Sequence, residues 1–481
     1  MKEKILVANR GEIAVRLQRG IREAGFSPVA IFTAVDRRSH HLAHADEAIE
    51  VDSYLNARSI LEAVRRSGAV AIHPGYGFLS ENAEFAALCA EACVVFIGPT
   101  AAAIRALGSK TAARQAAQCA GAPIVPGTDG PVTSIEDAKR VSRIIGYPVL
   151  IKAAAGGGGK GMRLVETESE LESAVRGAAG EAASSFGSAE VYIEKALIQP
   201  RHIEIQVFGD NHGNLVHLGE RECSIQRRHQ KVIEECPSPL VERYPEMRAA
   251  MGEAALRVAR AAGYTNAGTA EFLVDTDRNF YFLEMNTRLQ VEHPVTELVT
   301  SLDLVQMQLD VAFGGTLPVR QADVVLRGAA IQCRLYAEDP ANEYLPSPGR
   351  IERLRLPAGP GIRLDNGVYE GWNVPMEYDP LLAKLCVWAQ DRPRAIARMS
   401  RALRETEILG IANNVGFFRQ LLADARFQAG DLHTGFLKEF HYVPNNDLSD
   451  AELEAALAVL GAAAPAPNPA PVAARSRWSQ R

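Results

Sequence analysis

The sequence predicts an α/β protein of several sub-domains, with a mostly parallel, helix-covered sheet at the N-terminus and a β-rich C-terminal region. Three observations support this prediction. The chain has 481 residues, more than one small core usually organises. Short apolar runs alternate with helical patterns over roughly the first hundred residues, as in βαβ units. Past residue 325 the chain is rich in glycine, proline and β-formers, as in LPSPGRIERLRLPAGPGIRLDNG.

The N-terminal strands and helices are predicted from the hydrophobic pattern. Buried strands are expected at the apolar runs 4–8, 29–32, 70–73 and 94–97. Helices are expected at 11–24 and 57–66, where apolar residues recur at helical spacing, and again at 110–120. Two more helices are expected near 392–409 and 414–425.

A smaller unit is predicted over residues 131–204. It contains two strand-like runs, YPVLIKAA and MRLVE, on either side of the four glycines 156–159. Glycine-rich connections of this kind are typical of mobile flaps. Residues 202–208 (HIEIQVF) alternate strictly, which predicts a strand whose polar face, made of His202, Glu204 and Gln206, can line a site.

Composition and charge narrow the class of protein. Hydrophobic residues make up 47% and charged residues 23% of the chain, as in globular proteins, and the net charge of −6 gives no basic field for nucleic acid. The seven scattered cysteines include no CxxC pair, which favours reduced thiols. Because we find no signal-peptide pattern and no apolar run of membrane-spanning length, we expect a soluble cytoplasmic protein without nucleic-acid or membrane partners.

The glycine run and its lysines, KAAAGGGGKGM (152–162), carry the first chemical signal. Consecutive glycines can turn backbone N–H groups toward phosphate oxygens, and Lys152 and Lys160 supply positive charge. The alternative is an ordinary surface loop, and the run alone does not decide between them. This run is not a GxxxxGK[ST] P-loop and the chain start NRGEIA is not GxGxxG, so nucleotide binding must use another mode.

A pair of glutamates carries the second signal. Strand-like runs at 270–274 and 280–285 flank a polar turn, and a turn centred between Asp277 and Arg278 would place Glu271 opposite Glu284. Two opposed carboxylates repel each other unless a cation lies between them, and oxygen ligands suit Mg²⁺ bridging ATP phosphates. The alternative is two glutamates on a solvated face.

The segment ERECSIQRRHQK (220–231) is the third signal, with five basic side chains counting His229. Such a cluster either lies on a solvated face or, in a cleft, binds an anion such as bicarbonate. We assign no chemistry to His73 in HPGYGFLSEN, since a plain buried histidine accounts for it.

Several segments together resemble the biotin carboxylases of the ATP-grasp superfamily. They are ANRGEIA (8–14), HPGYGFLSEN (73–82), KAAAGGGGKGM (152–162), ERECSIQRRHQK (220–231), EMNTRLQVEHPVTE (284–297), CRLYAEDP (333–340) and SPGRI (347–351). The match covers about residues 1–440, and EMNTRLQVEHPVTE distinguishes this family from other ATP-grasp enzymes. Lys160 departs from the arginine that family members commonly carry in the lid.

The resemblance implies a three-domain ATP-grasp architecture. It consists of a Rossmann-like N-terminal domain (1–110), an ATP-grasp domain (111–325) with a mobile lid at about 131–204, and a C-terminal β-rich lobe (326–445). Residues 446–481 are then a short helix, opened by a capping box at 449–452, and a disordered Ala/Pro-rich tail.

The resemblance also implies roles for individual residues. ATP phosphates are held by Lys110 and Lys152 under the lid glycines Gly158 and Gly159, adenine by the hinge Glu194, Lys195, Ala196 and Leu197, and ribose and phosphates by His202, Gln226 and His229. Mg²⁺ or Mn²⁺ is ligated by Glu271, Glu284 and Asn286. Bicarbonate is bound by Lys231, Arg288, Gln290, Val291 and the base Glu292, and the biotin ureido oxygen is stabilised by Arg334.

The implied reaction is ATP- and bicarbonate-dependent carboxylation of biotin N1 through carboxyphosphate, the first half-reaction of a biotin-dependent carboxylase. Acetyl-CoA carboxylase of fatty acid biosynthesis is one example. Because no Ala-Met-Lys-Met string occurs, we expect biotin on a separate biotin carboxyl carrier protein. The resemblance also implies a homodimeric enzyme that works with a separate carboxyltransferase. The acceptor, whether acetyl-CoA, propionyl-CoA, another acyl-CoA, pyruvate or urea, stays undetermined.

Two alternatives to this function are considered. The first is another ATP-grasp ligase, such as a carboxylase of a purine intermediate or a carbamoyl-phosphate-type enzyme, and QVEHPVTE and CRLYAED count against it. The second is a catalytically silent ATP-binding regulatory protein. Competent residues at every candidate catalytic position count against that one.

Overall fold

The N-terminal region is a parallel sheet covered by helices, as predicted. The computed structural model describes residues 2–128, 130–153, 162–186 and 189–444. The first elements are β1 (Lys4–Val7), α1 (Gly11–Glu23), β2 (Ser27–Phe32), β3 (Glu47–Glu50), α2 (Ala57–Ser67), β4 (Ala71–His73), α3 (Ala83–Glu91), β5 (Val95–Phe96) and α4 (Ala101–Leu107). The strands pair in the order β3-β2-β1-β4-β5. Strand β3 was not among the predicted strands, because only one of its four residues is buried.

The strand order reverses between β1 and β4, which is where α/β sheets usually bind ligands. The Nδ2 group of Asn9, just after β1, donates to the carbonyl oxygens of Pro74 and Tyr76 at 2.7 and 2.8 Å. Gly75 has a φ of +63°, and a Cβ there would lie 3.0 Å from Asn9. The sequence HPGYG therefore forms a tight loop at the edge of this sheet.

A three-stranded antiparallel sheet forms the smaller unit predicted over 131–204. Its elements follow α5 (Lys110–Cys119) and are α6 (Ile135–Ile145), β6 (Val149–Ala153), β7 (Arg163–Val165), α7 (Glu168–Phe186) and β8 (Val191–Lys195). The strand order is β7-β6-β8, and apolar residues from all three strands pack against both helices. The two runs predicted to flank the glycines are thus paired strands, and residues 154–161 between them lie outside the described part of the chain.

The strands that carry most of the predicted site belong to one large sheet. The next elements are β9 (Arg201–Gly209), β10 (Leu215–Arg227), β11 (Gln230–Cys236), α8 (Pro239–Arg243), α9 (Glu246–Ala261), β12 (Asn266–Val274), β13 (Phe280–Asn286), α10 (His293–Thr300) and α11 (Leu304–Ala312). In β9, Ile203, Ile205 and Val207 enter the apolar core that includes α9, so the polar residues face the other way. This confirms the alternation predicted for HIEIQVF.

The region after residue 325 is β-rich, as predicted, but its long strands extend the same large sheet. Its elements are β14 (Ala329–Tyr336), β15 (Glu338–Asp339), β16 (Leu345–Pro346), β17 (Gly349–Arg350), β18 (Arg353–Arg355), β19 (Ile362–Asn366), β20 (Asn373–Val374), β21 (Leu381–Ala389), α12 (Arg392–Glu405), β22 (Glu407–Leu409), α13 (Val415–Ala423), α14 (Ala425–Ala429) and α15 (Phe436–Glu439). The large sheet has the order β13-β12-β9-β10-β11-β14-β21-β19. Every residue of β14 is buried, which suits a central strand.

One helix boundary differs from the prediction. The helix expected near 392–409 ends at Glu405, and residues 407–409 form β22, paired with β18. Met1–His441 group into one compact unit and Tyr442–Arg481 into a second, of which only 442–444 are described. The predicted capping box at 449–452 and the Ala/Pro-rich tail lie outside the described residues.

The seven cysteines, all within the described residues, are free thiols. No helix in the described ranges is both long and apolar enough to cross a membrane.

Candidate active site

Glu271 and Glu284 face each other across the β12–β13 hairpin, as predicted. The register arises differently from the prediction, however. Nearer the turn Phe272 pairs with Phe282, so the turn is centred on Asp277, and a bulge beside Glu271 then shifts the register by one residue. The bulge therefore offsets the half-residue error in the predicted turn centre.

The Glu271 carboxylate is surrounded by hydrogen-bond donors. Its Oε1 accepts from Lys231 Nζ at 2.7 Å and from the side-chain amides of Asn286 and Gln290, both at 2.9 Å. Its Oε2 lies 3.2 Å from His202 Nε2. Burial would raise the pKa of Glu271, but Lys231 and His202 outweigh burial and hold that pKa well below its ordinary value. Glu271 is therefore ionised at neutral pH.

Lys231, on β11, contacts three carboxylates. Its Nζ donates to Glu204 at 2.5 Å, to Glu292 at 2.6 Å and to Glu271. Burial would lower the pKa of this ammonium, but the three glutamates outweigh burial and hold the pKa well above its ordinary value. Lys231 is thus a permanent cation that neutralises a cluster of acids.

Glu292 lies between two cations. It immediately precedes α10 and is 2% exposed. Its Oε1 accepts from Lys231 at 2.6 Å, and its Oε2 accepts from Arg334 Nη2 at 3.0 Å. Burial would raise the pKa of Glu292, but Lys231 and Arg334 outweigh it, so the pKa lies well below its ordinary value. This one carboxylate connects the lysine predicted for bicarbonate with the arginine predicted for biotin.

Arg221, on β10, is fully buried at the centre of this arrangement. It lies in the basic segment noticed in the sequence but received no role there. Its guanidinium donates to Glu204 (2.5 Å), Gln206 (2.6 Å), Gln290 (2.8 Å), Thr296 (3.0 Å) and Thr269 (3.1 Å). These partners come from β9, β12, the loop before α10 and α10 itself. Arg221 therefore connects the four segments that carry the buried residues of the site.

Arg288 joins the site to the loop after β4. Its Nε donates to Glu81 Oε2 at 3.0 Å and its Nη2 to Asn286 Oδ1 at 3.0 Å. The backbone N–H of Thr287 donates to the other oxygen of Glu81 at 2.9 Å. Glu81, the ninth residue of HPGYGFLSEN, therefore positions the segment that carries Arg288, Gln290, Val291 and Glu292.

The residues expected to bind the nucleotide lie in the smaller sheet and beside it. Lys152 Nζ donates to Glu194 Oε2 at 2.5 Å, and Arg114 Nη1 lies 3.3 Å from the other oxygen of Glu194. Lys110 is the first residue of α5, but its side chain is outside the described part of the chain. Gly158 and Gly159 are outside it as well.

The predicted hinge begins in the last two residues of β8 and is held by backbone hydrogen bonds. The backbone N–H of Lys195 donates to Pro126 O at 2.7 Å and that of Ala196 to Pro148 O at 3.0 Å. Leu197 is half-buried. These contacts tie the hinge to the preceding loops.

The β10–β11 hairpin separates two residues that were grouped in the sequence analysis. Gln226 is buried and donates to Cys223 O at 2.8 Å. His229, with a φ of +67°, is exposed at the tip of the hairpin and lies away from the buried acids.

The structure thus joins Lys231, Glu271 and Glu292 in one cluster, while Lys152 and the hinge lie in the neighbouring sheet. The sequence analysis gave no role to Glu204, Arg221, Glu81 and Glu234. Strict alternation in HIEIQVF was the only signal for Glu204, and no signal distinguished Arg221 from a solvated arginine.

The folded arrangement defines a class of protein. A flap-like antiparallel sheet beside a large sheet that carries paired carboxylates is the architecture of an ATP-grasp ligase. Three family models match the chain: "Biotin carboxylase, N-terminal domain" over residues 1–104, "Carbamoyl-phosphate synthase L chain, ATP binding domain" over 109–320, and "Biotin carboxylase C-terminal domain" over 332–439. The chain belongs to the biotin carboxylase family.

Relatives of the chain span carboxylases with different names. It is 49% identical over 445 residues to a biotin carboxylase from Nostoc sp., covering 91% of this chain and 99% of that protein. It is also 49% identical over 446 residues to one of the pyruvate carboxylase polypeptides of Methanothermobacter thermautotrophicus, covering 92% and 90%. The biotin carboxylase domain dimer of Hydrogenobacter thermophilus 2-oxoglutarate carboxylase, crystallised with MgADP, ADP and bicarbonate, superposes with a TM-score of 0.85 at 44% identity, covering 92% of this chain and 100% of that one.

Proposed function

We propose that this chain catalyses the ATP- and bicarbonate-dependent carboxylation of biotin N1 on a separate carrier protein, through carboxyphosphate. The observation that carries the proposal is the position of Glu292. One oxygen of its carboxylate contacts Lys231 at 2.6 Å and the other contacts Arg334 at 3.0 Å. A base held between an anion-binding lysine and a second cation can serve two successive steps at one place.

In the first step Glu292 takes the proton of bicarbonate. The bicarbonate oxygen then attacks the γ-phosphorus of ATP, the bond from that phosphorus to the β-phosphate oxygen breaks, and carboxyphosphate and ADP are formed. Lys231, Arg288, Gln290 and Val291 form the bicarbonate pocket in this proposal. As it rests in the structure, Glu292 is a weak base because Lys231 and Arg334 lower its pKa. Bicarbonate that draws Lys231 toward itself would weaken the contact that lowers the pKa of Glu292. Glu292 would therefore become more basic when its substrate binds.

Nucleotide binding is assigned to both sheets. Lys152, with Lys110 and the lid glycines Gly158 and Gly159, would hold phosphates, and Glu194, Lys195, Ala196 and Leu197 would hold adenine. His202, Gln226 and His229 would contact ribose and phosphates. Lys152 is ion-paired with Glu194 at 2.5 Å, and the remaining donors of its ammonium group would bind a phosphate.

Mg²⁺ or Mn²⁺ is assigned to Glu271, Glu284 and Asn286. Carboxylate and amide oxygens from facing strands suit these hard cations. When bound, the metal supplies charge neutralisation for the ATP phosphates. Asn286 donates its amide to Glu271 and accepts from Arg288 at its oxygen, which has a second lone pair that could serve as the ligand.

The second step belongs to Arg334. The carboxyphosphate breaks down to CO₂ and phosphate, phosphate removes the biotin N1 proton, and CO₂ adds to N1. A charge-assisted hydrogen bond from Arg334 would stabilise the enolate-like ureido oxygen. Arg334 is buried within contact of Glu292, so both steps would share one pocket.

The acceptor is assigned to a separate carboxyltransferase. Equal identity to a biotin carboxylase and to a pyruvate carboxylase subunit supports leaving the choice among acceptors such as acetyl-CoA and pyruvate to that partner. The biotin carboxyl carrier protein is placed outside these 481 residues because they contain no Ala-Met-Lys-Met. The dimeric relative supports a homodimer, and we place domain boundaries near residues 110, 325 and 445.

The test is ATP hydrolysis by the purified chain with and without bicarbonate and free biotin, and with radiolabelled bicarbonate. We expect hydrolysis that requires bicarbonate, rises with biotin and transfers label to biotin. Bicarbonate-dependent hydrolysis without label on biotin would identify a different ATP-grasp ligase. No hydrolysis under any of these conditions would identify an ATP-binding regulatory protein.

A further inference from the structure

Glu234 lies directly beside the arginine assigned to biotin, and the proposed function leaves it without a role. Its Oε1 accepts from Arg334 Nε at 2.5 Å, its Oε2 accepts from Gln332 Nε2 at 3.0 Å, and the side chain is fully buried. We infer that Glu234 is a positioning residue that fixes the guanidinium of Arg334 for the biotin step. This inference rests on the proposed function.

A bulge in β11 brings Glu234 to the site. The register shifts by one residue between two neighbouring cross-strand pairs, Gln226 with Lys231 and Ile225 with Ile233. Val232 is therefore an extra residue in β11, and it reverses the alternation of side chains beyond it. In a regular strand Lys231 and Glu234, three residues apart, would point to opposite faces, whereas the bulge lets Lys231 contact Glu292 and Glu234 contact Arg334 in one site.

The neighbouring strand places Arg334 against Glu234. Glu234 pairs across the ladder with Gln332, and Arg334 follows two residues later on β14, so Gln332 and Arg334 share a face. Glu234 can therefore receive both donors at once. The two contacts use both carboxylate oxygens, which leaves the carboxylate little freedom to rotate.

The guanidinium of Arg334 is bound by two carboxylates, Glu234 through Nε and Glu292 through Nη2, and it also has a hydrogen bond with the Tyr336 side chain. The proposed reaction weakens the contact with Glu292 and leaves the contact with Glu234 in place. Glu292 must turn to bicarbonate in the first step, and its contact with Arg334 then weakens. Glu234 takes no part in that step, so it is the carboxylate that still orients Arg334 when biotin is carboxylated.

The competing explanation is that Glu234 is only a buried counter-ion. Burial raises the pKa of Glu234 to about 7 despite Arg334. Buried ion pairs often contribute little to the free energy of folding, so stability alone does not explain a buried glutamate at this position. The chain provides a direct control for this explanation in the next residue.

Glu235, like Glu234, is a buried glutamate whose two carboxylate oxygens accept hydrogen bonds and whose partner is an arginine. It is 3% exposed and accepts from Arg392 Nε at 2.6 Å and Arg392 Nη2 at 3.0 Å. Arg392 begins α12 and contacts none of the residues proposed for catalysis, so Glu235 is an equally buried, arginine-paired glutamate away from the site. A purely structural effect should be the same for both glutamates.

The experiment compares Glu234→Gln with Glu235→Gln in the full chain. Two rates are measured for each: bicarbonate-dependent ATP hydrolysis without biotin, and carboxylation of free biotin with its separate kcat and KM. For Glu234→Gln we expect the carboxylation kcat to fall about 10- to 100-fold with little change in the biotin KM, because the lost interaction acts in the transition state. Hydrolysis should stay within about threefold of wild type, since Lys231 and Glu292 are intact.

For Glu235→Gln we expect both rates to change in equal proportion. The same ratio of carboxylation to hydrolysis in Glu234→Gln would show that Glu234 is only a counter-ion and would overturn the inference. If Glu234→Gln does not fold, Glu234→Asp decides the question, because it keeps the charge and withdraws the carboxylate by one methylene; selective loss of carboxylation supports the inference and proportional loss overturns it. A wild-type chain that does not carboxylate biotin overturns the proposed function, and the inference with it.

Discussion

Removing Arg334 should separate the two steps of the proposed reaction. In Arg334→Ala we expect biotin carboxylation to be lost while a measurable share of bicarbonate-dependent ATP hydrolysis remains. In Glu292→Gln both activities should be lost, because no base is left to begin the first step. The two residues touch each other at 3.0 Å, so the difference cannot come from distance to the site.

The expected magnitude follows from the contacts of each residue. Without Arg334, Glu292 keeps Lys231 at 2.6 Å, and its pKa should rise toward the ordinary value because one of its two closest cations is gone. The carboxylate then remains charged at neutral pH and is no weaker as a base, so hydrolysis persists. The missing hydrogen bond to the ureido oxygen should cost the carboxylation step about 3–4 kcal/mol, or about 10²–10³ in rate.

The fold should survive this substitution. Arg334→Ala leaves Glu234 buried without its guanidinium, but a carboxyl whose pKa is already about 7 can take up a proton instead of staying charged. Arg392→Ala is the matched control, since it removes the arginine of the Glu235 pair on the other side of β11. Stability of both variants is compared by denaturant unfolding before the rates are interpreted.

The assay measures phosphate release and labelled carboxybiotin in the same reactions. Arg334→Ala should lower the ratio of carboxylation to hydrolysis by at least about tenfold more than Arg392→Ala does. Equal loss of the two activities in Arg334→Ala and in Glu292→Gln would refute the division of labour. Arg334 would then act with Glu292 in the bicarbonate step.

Glu271→Gln and Glu284→Gln should each raise the Mg²⁺ concentration needed for half-maximal activity and slow turnover without unfolding the chain; a metal requirement that does not change in a folded variant would speak against the shared site. A streptavidin blot of the purified 481-residue chain should be blank, and a biotinylated band at its own mass would contradict a separate carrier. Glu297 accepts from Arg16 at 3.0 Å and contacts Arg363; burial would raise its pKa, but these arginines lower it from 4.5 to about 2. Because the pKa of Glu297 is lower in the folded than in the unfolded chain, this stabilisation is complete above about pH 4.5 and disappears as the pH falls toward 2. Glu297→Gln should therefore lower the free energy of unfolding by about 3 kcal/mol at pH 7 and by less at pH 3. A loss of stability that does not depend on pH would count against the ion pairs.

Local patterns predicted the elements that depend on them. The alternation in HIEIQVF correctly predicted both faces of β9, and the turn between 275 and 279 correctly placed Glu271 opposite Glu284. The correct pairing of Glu271 with Glu284 depended on the bulge beside Glu271, and nothing in the sequence indicates that bulge. Counting residues across a turn predicts cross-strand pairs reliably only where neither strand contains an extra residue.

Pairings between distant segments could not be predicted in the same way. Arg221 occurs in a basic segment whose sequence fits a solvated surface equally well. Its burial depends on partners 15 to 75 residues away. Glu234 meets Arg334 only because β11 pairs with β14, about a hundred residues later. The resemblance to a family supplied the roles of residues that touch substrates, but it said nothing about the side chains that hold them.

Four of the described cations assigned to substrates share one feature that explains this gap. Each is ion-paired with a glutamate from another part of the chain: Lys152 with Glu194, Lys231 with Glu292, Arg288 with Glu81, and Arg334 with Glu234. An unpaired cation in a buried site costs several kcal/mol, so the fold needs these acids. At Lys231, where three carboxylates occupy the three donors of the ammonium group, a substrate anion must exchange with a carboxylate, and only an anion that offers comparable hydrogen bonds can do so. The acids that stabilise the folded site therefore also select its substrates, and Glu292, the one placed between two cations, is the acid that such an exchange converts into a base.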